Sequence, residues 1–243
     1  MGNAALITGA SKRLGRAISE HLAGLGWDII VHFNSSQDEA VELVEELRMR
    51  YPLQRFSHVK ADLSVAAEAE TLIPKVVSEY GKIELLVNNA SVFIPATIAK
   101  TSSEMFDLHF NIHMKTPFLL IRDFGDQFKK GNIVNIVDTR ITSNSSGYAA
   151  YSLSKQGLWD LTRMAALEFS PGIRVNAIAP GLILPPEGKD SDYLWDLAKK
   201  NPMKRPGSIE IVLKSLDFIL ENDYLTGQLI FADGGENLGY TDN

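Results

Sequence analysis

Seven short apolar runs, rich in β-branched residues, recur along the chain, and a longer amphipathic stretch separates most of them from the next. The runs are AALIT (4–8), DIIVHF (28–33), FSHVKA (56–61), ELLVNN (84–89), NIVNIVD (132–138), IRVNAIA (173–179) and QLIFA (228–232). Branched side chains pack well on a pleated surface, so each run reads as a strand. Near-continuous apolarity, rather than alternation, is expected of a parallel sheet covered on both faces. Among the intervening stretches is SQDEAVELVEELRMR, where Ser36 and Glu39 predict a capping-box pair and Ala40, Val44 and Leu47 recur at helical spacing. End-to-end strand–helix alternation predicts a doubly wound α/β sheet with helices on both faces. No linker, repeat or low-complexity segment interrupts it, so residues 1–243 are expected to form a single domain.

Charge narrows the range of partners. A net charge of −6 argues against a surface built for nucleic acid or anionic lipid. No run approaches the roughly 18 apolar residues of a membrane span. The opening MGNAALITGA lacks a basic region followed by an apolar signal segment, so the cytoplasm is the expected compartment. With no cysteine there can be no disulfide, thiolate nucleophile or thiolate metal site, and no metal is expected.

In sheets of this kind, ligands sit beyond the carboxyl ends of the strands. Those ends carry Thr8–Gly9, His32–Asn34, Asp62, Asn88–Asn89–Ala90, Asp138 and Pro180–Gly181, so most of the chain's polar oddities gather on one edge. The turn TGASKRLGRAI (8–18) joins the first strand to the first helix. Its glycines allow a pyrophosphate to approach the backbone, and the helix N-terminus offers unpaired N–H donors to it. A site selective for NAD usually places an acid after the second strand, against the ribose 2′-hydroxyl. Here VHFNSS supplies His32, Asn34, Ser35 and Ser36, with no acid before Asp38, which favours NADPH. Ser36 is equally placed to cap the next helix, and Asp62 fits a simple turn as well as an adenine contact.

Together with NNA at 88–90 and Tyr151-Ser-Leu-Ser-Lys155, this turn resembles that of the short-chain dehydrogenase/reductase family, and the resemblance covers essentially the whole chain. It implies a Rossmann-type fold with Gly9, Ser11, Arg13, Leu14 and Gly15 around the cofactor. Asp62 and Leu63 would lie at the adenine, with Asn89, Ala90, Ser91, Pro180 and Gly181 further along, and Tyr151 and Lys155 at the reactive end. The late Asp233–Gly234–Gly235 also matches. Arg13 stands where the family usually has its middle glycine. The pattern TGxxKRLG resembles the pteridine reductase branch, where this arginine approaches the adenosine phosphate.

Tyr151 and Lys155 are four apart and share a helix face. Tyrosine has a pKa of about 10, and a nearby ammonium is expected to bring it toward neutrality. Asn111 matches the position at which the family holds a water of the proton relay. Most members have serine where Asp138 stands. A carboxylate there would repel the oxyanion formed when hydride adds to a ketone. It helps, however, when the reduced bond is C=N and a nitrogen must take up a proton. Asp138 therefore points to a reducible N-heterocycle, and the pteridine reductase resemblance, with Asp, Tyr and Lys in these positions, implies the same. A flat pterin would need an aromatic partner, and Phe93, with Ser91 beside it, occupies the position such reductases use.

The segment 182–201 looks like a lid, with Tyr193 and Trp195 either lining the pocket or anchoring it. Arg140 follows the acid, and the resemblance gives it no role. The family usually forms tetramers through long helices, here beginning near Ser103 and Tyr148. Leu158, Leu161, Ala165 and Phe169 could face either that interface or the core. Three functions are then open: an NADPH-dependent pterin reductase, an NADPH-dependent carbonyl reductase of, for example, a 3-oxoacyl thioester, and a non-catalytic NADP sensor. The retained Asn111, Tyr151 and Lys155 speak against the sensor.

Overall fold

The computed structural model describes residues 3–143, 146–186 and 188–239. The chain alternates β1 (Ala4–Ile7), α1 (Arg13–Gly24), β2 (Asp28–Phe33), α2 (Gln37–Arg50), β3 (Phe56–Lys60), α3 (Ala66–Tyr80) and β4 (Leu85–Asn88). It continues through α4 (Ser103–Phe110), a π-turn (Asn111–Lys115), α5 (Thr116–Gln127), β5 (Gly131–Ile136), α6 (Ala149–Phe169) and β6 (Ile173–Pro180). Last come α7 (Ser191–Ala198), α8 (Ile209–Glu221) and β7 (Leu229–Ala232). All seven strands are parallel, in the order β3-β2-β1-β4-β5-β6-β7. The strand order reverses between β1 and β4, where a doubly wound Rossmann-type sheet opens a crevice.

Adjacent strand residues point to opposite faces, so Leu6 and Ile7 of β1 enter different cores. On one side Ile7, Val31 and Val87 meet Ile18 and Leu22 of α1, Leu43 and Leu47 of α2, and Val212 and Leu216 of α8. On the other, Leu6, Ile30 and Leu86 meet Leu72 and Ile73 of α3, Leu120 and Phe124 of α5, and Leu158, Leu161 and Ala165 of α6. Those three α6 residues are therefore core, and Phe169 packs against the same cluster. The outer face of α6 instead exposes Leu153, Met164 and Leu167.

Two local expectations are corrected. Ser36 is at the N-cap of α2, but its side chain makes no capping bond, and Glu39 pairs with Lys12 at 2.7 Å instead of reaching back. The fifth strand ends at Ile136, two residues before Asp138, whose carboxylate accepts from the Arg140 N–H at 2.8 Å and opens a 3₁₀ turn.

Candidate active site

The turn after β1 is shaped for close approach. A side chain at Gly15 would lie 2.2 Å from the Gly9 carbonyl, so only glycine lets α1 sit this near the strand. Arg13 takes the left-handed conformation, φ 52°, at the position where a glycine is usual, and so carries strain that a glycine would not. Its guanidinium donates to the Pro185 carbonyl at 2.6 Å, drawing the turn against the lid segment. The start of α1 has no side-chain cap and no acid in its first turn, leaving backbone donors for an anion. Such an end fits a dinucleotide pyrophosphate.

Polar side chains fix this turn to its neighbours. Asn89 donates to the carbonyls of Thr8 and Gly9 at 2.9 and 3.0 Å, and the Thr8 hydroxyl accepts from the N–H groups of Asn89 and Ala90. His32 is buried, and its Nδ1 accepts from the Gly9 N–H at 3.0 Å while Nε2 reaches the Ala61 carbonyl at 3.0 Å. Burial lowers its pKa to about 4, so it is neutral and holds the turn. With both ring nitrogens engaged inside the fold, it is not the free donor the sequence suggested; Asn34 and Ser35 remain exposed beside it. Asp62 forms a turn, accepting from the Ser64 N–H and hydroxyl, and its carboxyl is held below its ordinary value by those bonds.

These residues line a groove of about 530 Å³ that runs past Gly9, Lys12, Arg13, Leu14, Gly15, His32, Asn34, Ser35, Asp62 and Leu63. It continues over Asn89, Ala90, Ser91, Ile112, Lys155, Pro180 and Gly181 to Asp138 and Tyr151. Ser11 is buried behind it, and Ser36 lies in a shallow hollow with Lys12 and Ser35. Lys12 is the charged groove residue that sequence reasoning missed, along with apolar lining such as Ile112 and Ile183; its basic charge at the turn was the available signal. Asn111 opens the π-turn, half-buried, one residue before Ile112.

A second cavity of about 550 Å³ is lined by Phe93, Arg140, Tyr148, Leu182, Pro186, Tyr193, Leu197 and Glu236. Arg13, Ser91, Asp138, Tyr151, Gly181 and Leu184 line both spaces, so the groove and the cavity meet at the acid and the tyrosine. Tyr193 thus lines the pocket, whereas Trp195 is about half exposed and does not. Phe93 is 41% exposed, stacks on Tyr148 at 4.7 Å and 17°, and meets Tyr151 edge-on at 4.8 Å. The Arg140 guanidinium covers Tyr148 at 4.4 Å, which gives it a place beside the aromatic platform.

At the junction the Tyr151 hydroxyl donates to Asp138 Oδ2 at 2.7 Å. Burial, then the Asp138 charge, push the phenol well above its ordinary value. The expectation that Lys155 would bring it down is corrected. The Lys155 ammonium donates to the Ile136 carbonyl at 2.8 Å and lies 6.0 Å from the tyrosine ring, while the opposing carboxylate is in direct contact. Lys155 is fully enclosed, and burial lowers its pKa to about 8 against the pull of Asp138. Asp233 accepts from the hydroxyl of Thr139, next to Asp138, at 2.7 Å and from the Gly235 N–H at 2.9 Å, so the Asp-Gly-Gly turn braces the acid's neighbour.

A parallel seven-stranded sheet with this turn and this tyrosine–lysine helix defines a class, and the family comparison agrees. The short chain dehydrogenase model matches residues 3–192, and the chain belongs to this family of oxidoreductases. Among individual proteins, it is 32% identical to the 3-oxoacyl-[acyl-carrier-protein] reductase FabG of Staphylococcus epidermidis, over 97% of this chain and 99% of that one. Among solved structures it is similar to FolM alternative dihydrofolate reductase 1 from Brucella canis complexed with NADP, with TM-score 0.91, 33% identity, and 99% of this chain and 96% of that one covered. The Brucella suis counterpart, also in complex with NADP, gives TM-score 0.92 and 33% identity over 98% and 96% of the two chains. Among the described residues, no helix is long and apolar enough to cross a membrane, and no group of three or more His, Cys, Asp or Glu could hold a metal ion.

Proposed function

We propose that this protein is an NADPH-dependent pterin reductase, a cytoplasmic homotetramer of single-domain subunits. The observation that carries this reading is the carboxylate of Asp138 at the meeting of groove and cavity, bonded to the Tyr151 hydroxyl. The groove, from the α1 N-terminus to Lys155, would hold NADPH, with Asn34, Ser35 and Lys12 near its 2′-phosphate. When bound, the nicotinamide supplies hydride to a ring carbon.

The chain's own residues supply the proton. Hydride addition to C=N leaves charge on nitrogen; Asp138 passes it the proton of the Tyr151 O–H bonded to Oδ2, and solvent then returns a proton to Tyr151. Tyr151 keeps its proton at neutral pH, and the ammonium of Lys155 stands behind it. Phe93, backed by Tyr148 and Arg140, offers a flat face to a heterocycle, with Ser91 at its edge and Tyr193 on the lid side. Asn111 would hold a relay water. The likeness to the two FolM structures supports this reading.

The 32% identity to FabG favours a second reading, reduction of a 3-oxoacyl thioester. Asp138 opposes it, because a carboxylate facing a forming oxyanion raises the barrier. NADPH oxidation with a dihydropterin, dihydrofolate and a 3-oxoacyl thioester separates the two. A higher kcat/KM with the pterin is expected, and turnover of the thioester alone would overturn the proposal.

A further inference from the structure

His113 does not belong to the proposed chemistry and lines neither the groove nor the cavity, yet its ring is fully enclosed. Nε2 accepts from the Val92 backbone N–H at 3.1 Å, and the Ser91 hydroxyl lies 2.9 Å from the same nitrogen. Nδ1 lies 2.9 Å from the Ser154 hydroxyl, which donates to the Tyr151 carbonyl at 2.8 Å. Because an N–H can only donate, Nε2 must be the bare nitrogen, and the proton sits on Nδ1, directed at Ser154. The ring also stands perpendicular to that of Tyr151, 5.4 Å away.

One side chain on the π-turn therefore joins the loop Ser91–Phe93 to the helix that carries Tyr151. We propose that His113 is a positioning residue, setting the spacing between the Phe93 platform and the Asp138–Tyr151 pair. An imidazole suits this task because it offers an acceptor and a donor on opposite sides of a rigid ring. Burial, Lys155 and His109 hold its pKa well below the ordinary value, which keeps Nε2 free to accept. The inference rests on the cavity being the substrate site, whichever substrate that is.

The test uses the full-length protein and three forms: wild type, His113→Phe, which fills the space without hydrogen bonds, and His113→Gln, whose amide oxygen can still reach the Val92 N–H. Nitrogen-15 NMR of the wild type is expected to show the Nδ1–H tautomer. The Val92 amide is expected to exchange about tenfold faster in His113→Phe, the scale of one lost hydrogen bond, and to recover in His113→Gln. With whichever of the pterin and thioester the wild type reduces, kcat/KM should fall about 10²-fold in His113→Phe and largely return in His113→Gln. An Nε2–H tautomer, or unchanged Val92 exchange in His113→Phe, overturns the proposal even if no substrate is turned over. Equal kcat/KM in all three forms, with only Tm altered, does so as well. Failure of the pterin reading would show separately, as thioester turnover by the wild type.

Discussion

Replacing Asp138 by Asn tests the proposed chemistry while sparing the turn. Oδ1 of the new side chain can still accept from the Arg140 N–H, the bond that opens the 3₁₀ turn. What is lost is the charge at Oδ2 and its acceptance of the Tyr151 proton at 2.7 Å; the new Nδ2–H can only donate back to the Tyr151 oxygen. A hydrogen bond to a charged group contributes about 1.5–3 kcal/mol and a neutral one about 0.5–1.5 kcal/mol, so the variant should lose stability of about 1–1.5 kcal/mol. For a chain of this size that is a fall in Tm of roughly 2–6 °C. Activity should fall much further, by about 10²- to 10⁴-fold in kcat with a pterin, because the amide cannot relay a proton.

The pH profile should move too. Lys155 has its pKa lowered from 10.5 to about 8, so an alkaline limb of kcat is expected near pH 8 as the folded protein loses that ammonium. The Asp138 charge opposes this lowering, so in Asp138→Asn the limb shifts to lower pH. For stability the sign is the reverse of a salt-bridged lysine. Holding the ammonium in the fold costs free energy below about pH 8, and that cost disappears as pH rises toward 10.5. Stopped-flow NADPH oxidation across pH and thermal melts provide the data. Near-wild-type kcat with a pterin, alongside the fall in Tm, would refute the reasoning and leave Asp138 as a turn residue.

Asn34→Asp, at the exposed end of β2, should weaken NADPH binding about 10- to 100-fold through charge repulsion and leave NADH nearly unchanged, measurable by fluorescence titration. Equal kcat/KM for NADPH and NADH in the wild type would remove the basis for that expectation. Phe93→Ala should raise KM for a pterin about tenfold with cofactor affinity kept; a variant that loses only Tm would show the ring to be core. Light scattering should give four times the 26.8 kDa subunit mass, and a monomer mass would exclude the tetramer.

The sheet was legible because its strands are apolar on both faces. DIIVHF (28–33) is β2 residue for residue, and most other strands end within a residue or two of expectation. The meeting of polar residues at the strand ends was legible for the same reason, since parallel strands deliver their carboxyl ends to one edge. Pairings set by tertiary packing were not. The capping box of Ser36 and Glu39 lost to an ion pair with Lys12, a residue 27 positions from Glu39. Lys155 has the expected four-residue spacing from Tyr151, yet the nearest acceptor for its ammonium is a carbonyl of β5. His113, inside NIHMK, carried no local mark, because its partners come from a loop and a helix 21 to 41 residues away.

The π-turn at Asn111–Lys115 has an evolutionary consequence. There the Thr116 N–H bonds the Asn111 carbonyl five residues back, so the segment holds one residue more than an α-helix would. The surplus is absorbed within the turn, so Leu120 and Phe124 of α5 keep their places in the core beyond it. Deleting one residue here would let the segment wind as a regular α-helix and would displace the side chains of the turn itself, His113 among them. A single-codon loss would thus leave the core in register while undoing the hydrogen bonds around His113. Retention of the turn in a descendant is then a matter of selection on the site rather than on the fold.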